Sequence, residues 1–443
     1  MMKLNLFAPR ASAGTTDRGF SAAQIGPLTV ACLMFSLVHA ASAQVAIKGK
    51  TIHTMGAAGT LNDAVVVITD GKIAAVGPIA STPIPQGYRV LEGEIVTPGL
   101  IDCRATVGLT GIYNIKHDQD QLESSTPIQP QLRAIDAYNP HEELIDWVRR
   151  FGVTAVHTGH APGELISGQT AVFKLRGNTV ADATMVECAA IAATLGPSSQ
   201  KDGGKSPGTR AKQISLLRQE LIRAQEYIRE RESAAKNKDG AKDEDNDNEN
   251  GGKRSKGRDL SMESLVRVLK GELPLMITAN RSQDIMSALR LAEEFKFRLW
   301  LDSASEAYLL LDEIKKAGVP VLVHPLMYRA SGEMKNMSFE TPALVRDAKI
   351  PVFFTSGFED YVPKTRVVLF EAGVAAANGL TLETTLRMLT IEAATLLGID
   401  KRVGSLEVGK DGDVAIYDGD PFEYASHCTG VVIEGEVMSD KPR

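Results

Sequence analysis

The chain has 443 residues, a formal net charge of −6, 43% hydrophobic residues and 23% charged residues. A length beyond the roughly 250–300 residues at which one core stops growing points to a large domain with a smaller attachment, and the composition excludes collagen, coiled coil and wholesale disorder. With no basic surplus and only 5% aromatic residues, the chain is not expected to bind nucleic acid.

The chain opens on a leader-like segment. Lys3, Arg10 and Arg18 precede an apolar run from Leu28 to Val38, too short to span a bilayer, and Ala41-Ser42-Ala43 then offers a small-x-small cleavage pattern before Gln44. Residues 1–43 are expected to be a signal peptide. The mature protein is then exported, periplasmic or extracellular, and has no membrane partner after cleavage. Cys32 leaves with the leader. Cys103, Cys188 and Cys428 remain, widely spaced, which is neither a zinc motif nor a disulfide framework.

From Val45 the chain reads as β structure. Ala64–Thr69 and Lys72–Gly77 flank Asp70-Gly71 and predict a hairpin with a type I′ turn. The middle of the chain alternates. Short apolar runs at 153–157, 273–278, 298–302, 319–324 and 350–356 predict strands, and helices are expected near 282–296, 306–317, 340–348, 364–378 and 382–398. Strands that each feed a helix argue for parallel βαβ units closed into a barrel. Ile214, Leu217, Leu221, Ile222 and Tyr227 have helical spacing and predict a projecting helix over 213–232. It leads into 236–258, which holds no large apolar residue and is expected to be disordered. The acidic run there (Asp243, Asp245, Asp247) fails as a calcium loop, because Asn248 and Arg254 stand where Gly and Glu are required. Residues 404–438 return to β structure.

Three separated motifs carry a resemblance: Ile73-Ala-Ala-Val-Gly77, Val96-Thr-Pro-Gly-Leu-Ile-Asp102, and Gly404-Ser-Leu-Glu-Val-Gly-Lys-Asp-Gly-Asp-Val-Ala415. In this order they resemble the amidohydrolase superfamily of metal-dependent hydrolases, nearest its imidazolonepropionase-like group. The resemblance implies an α/β fold: a (β/α)8 TIM-like barrel over 99–403, with a small composite β-sandwich built from 45–98 and 404–438. It also implies hydrolysis of non-peptide C–N bonds, cyclic amides among them.

The family's metal ligands do not carry over. Its x-His-x-His after Pro-Gly-Leu-Ile-Asp is here Cys103-Arg104-Ala105-Thr106, so Arg104 and Thr106 occupy the ligand positions. Arginine has no lone pair to offer a cation; its guanidinium could stand in for the metal as a fixed positive charge. The fifth-strand histidine falls on Thr278 or Asn280, the sixth-strand histidine on Ser303, and the final-strand aspartate on Gly357 or Ser356. Lys174 lies near the place of a bridging lysine and reads more simply as a strand lysine at the barrel rim. No cofactor is therefore expected; zinc or another divalent metal enters only through a relocated site.

The candidates for such a site are His157, His160 and His324 at predicted strand ends, with Asp118, Asp120 or Glu359 beside them. Together with Arg104 these histidines are the candidate mouth residues; Tyr138 and Trp147 read as core or rim. The polar stretches 110–123 and 160–169 suit a binding loop as well as a solvated one. Two readings follow: a C–N hydrolase without the standard metal centre, or a catalytically inactive binding or scaffold protein. A small-molecule ligand is the implied partner, with self-association open.

Overall fold

The computed structural model describes residues 44–113, 115–239, 257–327, 329–358 and 367–442. The predicted leader, the acidic run and Glu359 lie outside the described residues.

Strands β1 (Val45–His53), β2 (Thr60–Thr69), β3 (Lys72–Pro78) and β4 (Arg89–Pro98) lead into the barrel strands. These are β5 (Leu100–Ala105), β6 (Val153–Gly159), β7 (Ile166–Lys174) and β8 (Thr184–Thr194), followed by β9 (Leu275–Thr278), β10 (Leu299–Ser303), β11 (Val321–Val323) and β12 (Val352–Phe354). The chain ends in β13 (Val414–Tyr417), β14 (Cys428–Ile433) and β15 (Glu436–Ser439).

Both ends of the chain meet in one seven-stranded sheet, ordered β15-β14-β13-β4-β1-β2-β3. The β2–β3 hairpin turns at Asp70 (φ 50°) and Gly71 (φ 79°), the two left-handed residues a type I′ turn requires. Ile47, Ile52, Val66 and Ile68 from the first segment share a core with Leu406, Val414, Ile416 and Val432 from the last. Neither terminal segment buries its apolar face alone.

The second sheet has eight strands in the order β12 to β5 and is nearly closed. The seam is joined by the Gly357 amide donating to Arg104 O at 2.9 Å. This is the expected TIM-like barrel, with one departure from regular βαβ repetition. β7 runs antiparallel to both β6 and β8, so the chain returns through a short loop at 160–165 instead of a crossover helix. Of these two strands the sequence foresees only the segment around Lys174 as strand, and it foresees neither the reversed direction of β7 nor β8.

Helices cover the outside of the barrel. That at Ser282–Phe295 matches its predicted span, and the helix expected over 382–398 is divided at Thr390 into Leu382–Leu389 and Ile391–Leu396. The helix expected at 213–232 spans Arg210–Asp239, so order persists past the predicted start of the charged insert at Lys236. Its Leu217, Leu221 and Ala224 are buried, so the first half packs on the barrel instead of projecting, while Ile222 stays exposed. No helix among the described residues is long and apolar enough to cross a membrane.

Candidate active site at the barrel mouth

The barrel lumen is filled in layers. Ile101, Cys103, Ala155, Met276, Trp300, Leu322 and Phe353 form one buried cluster, with Leu397, Ile399 and Val403 packed beneath them. Side chains two residues further along a strand point to the same side. Thr278, Asp302, His324, Thr355 and His157 therefore form the next layer toward the mouth, and all of them are buried. Thr278 and Asp302 are direct neighbours in the β9–β10 register. The structure thus places Asp302, one residue before the expected Ser303, at the inward position of the sixth strand. Ser303 begins a left-handed turn (φ 65°) out of the strand.

Within this layer the polar groups are largely committed to one another. The Thr278 hydroxyl donates to Asp302 Oδ2. His157 Nδ1 donates to the Cys103 carbonyl at 2.6 Å, and its Nε2 lies 2.6 Å from Thr170 Oγ1. Burial, then the nearby Arg104 charge, pushes the His157 pKa down to about 3, so the ring is neutral with both nitrogens engaged. Burial and Arg104 likewise push His160 down to about 4. Arg104 is 2% exposed; its guanidinium donates to Ala105 O at 3.2 Å and to His160 O. The polar loop 110–123 folds over this end, where Ala161 N donates to Gln121 O at 2.6 Å.

Two carboxylates balance the arginine, and the choice of ligand positions from sequence passed over both. Asp102 accepts from the amides of Arg104 and Ser356, each at 3.1 Å, and so clamps β5 to β12 at the seam. Burial raises its pKa to about 6 despite those bonds and the Arg104 charge. Asp302 is raised by burial and held back by Arg104. Asp102 thus binds a proton more tightly folded than unfolded. Its contribution is present at low pH and is lost as pH rises from about 4 to about 6, about 3 kcal/mol in all. Asp102→Asn keeps an acceptor for both amides and removes that slope. Denaturation midpoints across this range check the prediction; an unchanged slope contradicts it.

These side chains do not make a donor set for a divalent cation. Arg104 offers only donors, both His157 nitrogens are engaged, and Thr278 is spent on Asp302. At Gly357 (φ 60°) an added Cβ would lie 2.5 Å from the His324 ring, so an aspartate there requires that ring to move. Thr106 is buried in the strand-end turn, and its carbonyl accepts the Leu109 and Thr110 amides. His157, His160 and His324 are not brought into a common cluster, and no group of three His, Cys, Asp or Glu side chains suited to a metal occurs among the described residues.

Lys174 is not a mouth residue. Because β7 is antiparallel, Lys174 pairs with Ala155 near the start of β6, at the opposite end of the barrel. There it donates to Asp411 at 2.5 Å and Asp413 at 3.1 Å, and it lies 2.8 Å from Glu434. Tyr138 is a core residue, stacked on Phe173 with centroids 3.8 Å apart.

Comparison with known proteins agrees with this architecture. A family model described as amidohydrolase family matches residues 343–438. Amidohydrolase tasK of Hapsidospora irregularis is 21% identical over 401 residues, covering 85% of this chain and 40% of that protein. The chain therefore spans well under half of that relative's length. Imidazolonepropionase of Sphingopyxis alaskensis is 24% identical over 400 residues, covering 82% of this chain and 89% of that one. The crystal structure of an amidohydrolase from Thermotoga maritima superposes with a TM-score of 0.79 at 25% identity, covering 90% of this chain and all of that one. The barrel, the sheet drawn from both chain ends and these likenesses together make the chain similar to the amidohydrolase superfamily.

Proposed function

We propose that this protein is an exported amidohydrolase-type hydrolase of non-peptide C–N bonds whose barrel mouth works without the family's metal centre, with Arg104 as its fixed positive charge. The observation that carries the reading is the buried Arg104 guanidinium, in Coulombic reach of Asp302 and Asp102, beside the polar layer of the lumen. A permanent cation disfavours a second cation in the same low-dielectric space. It also supplies what a carbonyl substrate needs most, a preorganised donor for the charge that develops on oxygen. Export rests on the leader pattern, and an N-terminal sequence of the secreted protein beginning at Gln44 checks it.

The test is a panel of lactams, hydantoins and N-acyl amines, assayed before and after removal of divalent metals with a chelator. Turnover is expected to survive chelation and to be lost in Arg104→Met. Turnover that chelation abolishes and zinc restores would overturn the proposal. One observation favours the second reading, a binding or scaffold role: His157, Thr170 and Thr278 are already engaged within the protein. A panel without turnover selects that reading.

A further inference from the structure

Arg104 and Asp302 are both 2% exposed. Each is the other's foremost electrostatic partner: Asp302 is the leading charge acting on Arg104, and Arg104 the leading charge acting on Asp302. Yet they make no ion-pair contact, and each keeps one buried polar atom without a hydrogen-bond partner among the described residues, Nε of Arg104 and Oδ1 of Asp302. Arg104 Nε is a donor only, and Asp302 Oδ1 is an acceptor only when its carboxyl is ionised beside the guanidinium. A buried cation and anion held apart with orphaned atoms of complementary kind form a costly arrangement. One molecule that accepts from the first and donates to the second resolves it, and water is the smallest that does. The neighbouring charges are consistent with a neutral occupant, since one ionised carboxylate of the Asp102 and Asp302 pair offsets the guanidinium.

We propose that Arg104 and Asp302 hold a single water molecule between them at the barrel mouth, and that Asp302 is the base that activates it. The second part rests on the hydrolytic reading above. The water oxygen attacks the carbonyl carbon of the C–N substrate while its proton passes to Asp302. Arg104 stabilises the oxyanion. As the C–N bond breaks, Asp302 returns the proton to the leaving nitrogen, giving an acid and an amine. Water is the only co-reactant, and no electrons are transferred to or from another group.

The deciding experiment is an atomic-resolution crystal structure of the mature protein, paired with the same hydrolase panel on Asp302→Asn. An ordered water within hydrogen-bond distance of both Arg104 Nε and Asp302 Oδ1 is expected; an empty gap, or direct contact between the side chains, overturns the water site. Asp302→Asn retains the Thr278 partner and is expected to fold, while turnover falls by about 10²–10⁴-fold, the range of a lost general base. Turnover within threefold of wild type overturns the base role. A wild-type water peak without turnover on any panel member upholds the site and overturns the base role together with the hydrolytic reading. Turnover without the peak overturns the site alone.

Discussion

Lys174→Met is expected to destabilise the protein by about 3–5 kcal/mol, the usual consequence of removing one partner from a buried ion pair. The Lys174 side chain is 2% exposed, and its ammonium meets Asp411, Asp413 and Glu434, all from the C-terminal segment. Lys72 and Arg402 also reach Asp411, and Arg402 and Arg176 reach Glu434, so those two carboxylates keep partners in the variant. Asp413 does not. It is fully buried, its pKa is raised by burial, and Lys174 is the charge that holds it down. The loss is therefore concentrated at one site. Adding Asp413→Asn to Lys174→Met is expected to recover a large part of it, since the amide removes the stranded charge. Chemical denaturation of the single and double variants measures both effects. A loss below about 1 kcal/mol in Lys174→Met would show that the network does not tie the barrel floor to the terminal sheet.

Arg104→Met is expected to cost about 3 kcal/mol near pH 8 and distinctly less near pH 5. The variant leaves Asp102 and Asp302 in a buried space without their compensating cation, so both carboxyls become still harder to ionise. Protonation relieves the penalty. Asp102 already titrates at about 6 with the arginine present, and without it neutralises at higher pH. Denaturation at the two pH values reads the difference; an equal loss at both would mean that Arg104 acts through packing and not through charge.

Much of the architecture is legible in the sequence. The Asp70-Gly71 turn announces its hairpin because few residue pairs tolerate two left-handed conformations. From β9 onward the short apolar runs fall on strands and the expected helices on helical segments, with the last helix divided at Thr390. The antiparallel β7 is different: Ile166–Lys174 is buried along its whole length, and a strand buried on both faces shows no alternation from which direction or phase can be read. The same physics explains Ser303. Leu299–Ser303 is buried at every position, so the inward phase is fixed only by pairing with β9, which sets Asp302 beside Thr278. A one-residue slip reverses every side chain of a strand, and that slip separates a neutral hydroxyl from a buried carboxylate. Arg104 was visible as an oddity in its motif. Its two counter-charges were not, because Asp102 reads as part of a family signature and Asp302 as the end of an apolar run. The fate of His157 depends on Cys103 O and Thr170, contacts across strands that no local pattern reports.

In the proposed function a fixed guanidinium charge, in place of a bound cation, organises the barrel mouth. Elemental analysis of the full chain, expressed with zinc, manganese, iron and nickel supplied and purified without chelator, tests it most directly. Less than about a tenth of an equivalent of any of these metals per chain is expected. One equivalent or more, lost on replacing His324 or Asp302 with alanine, would contradict it.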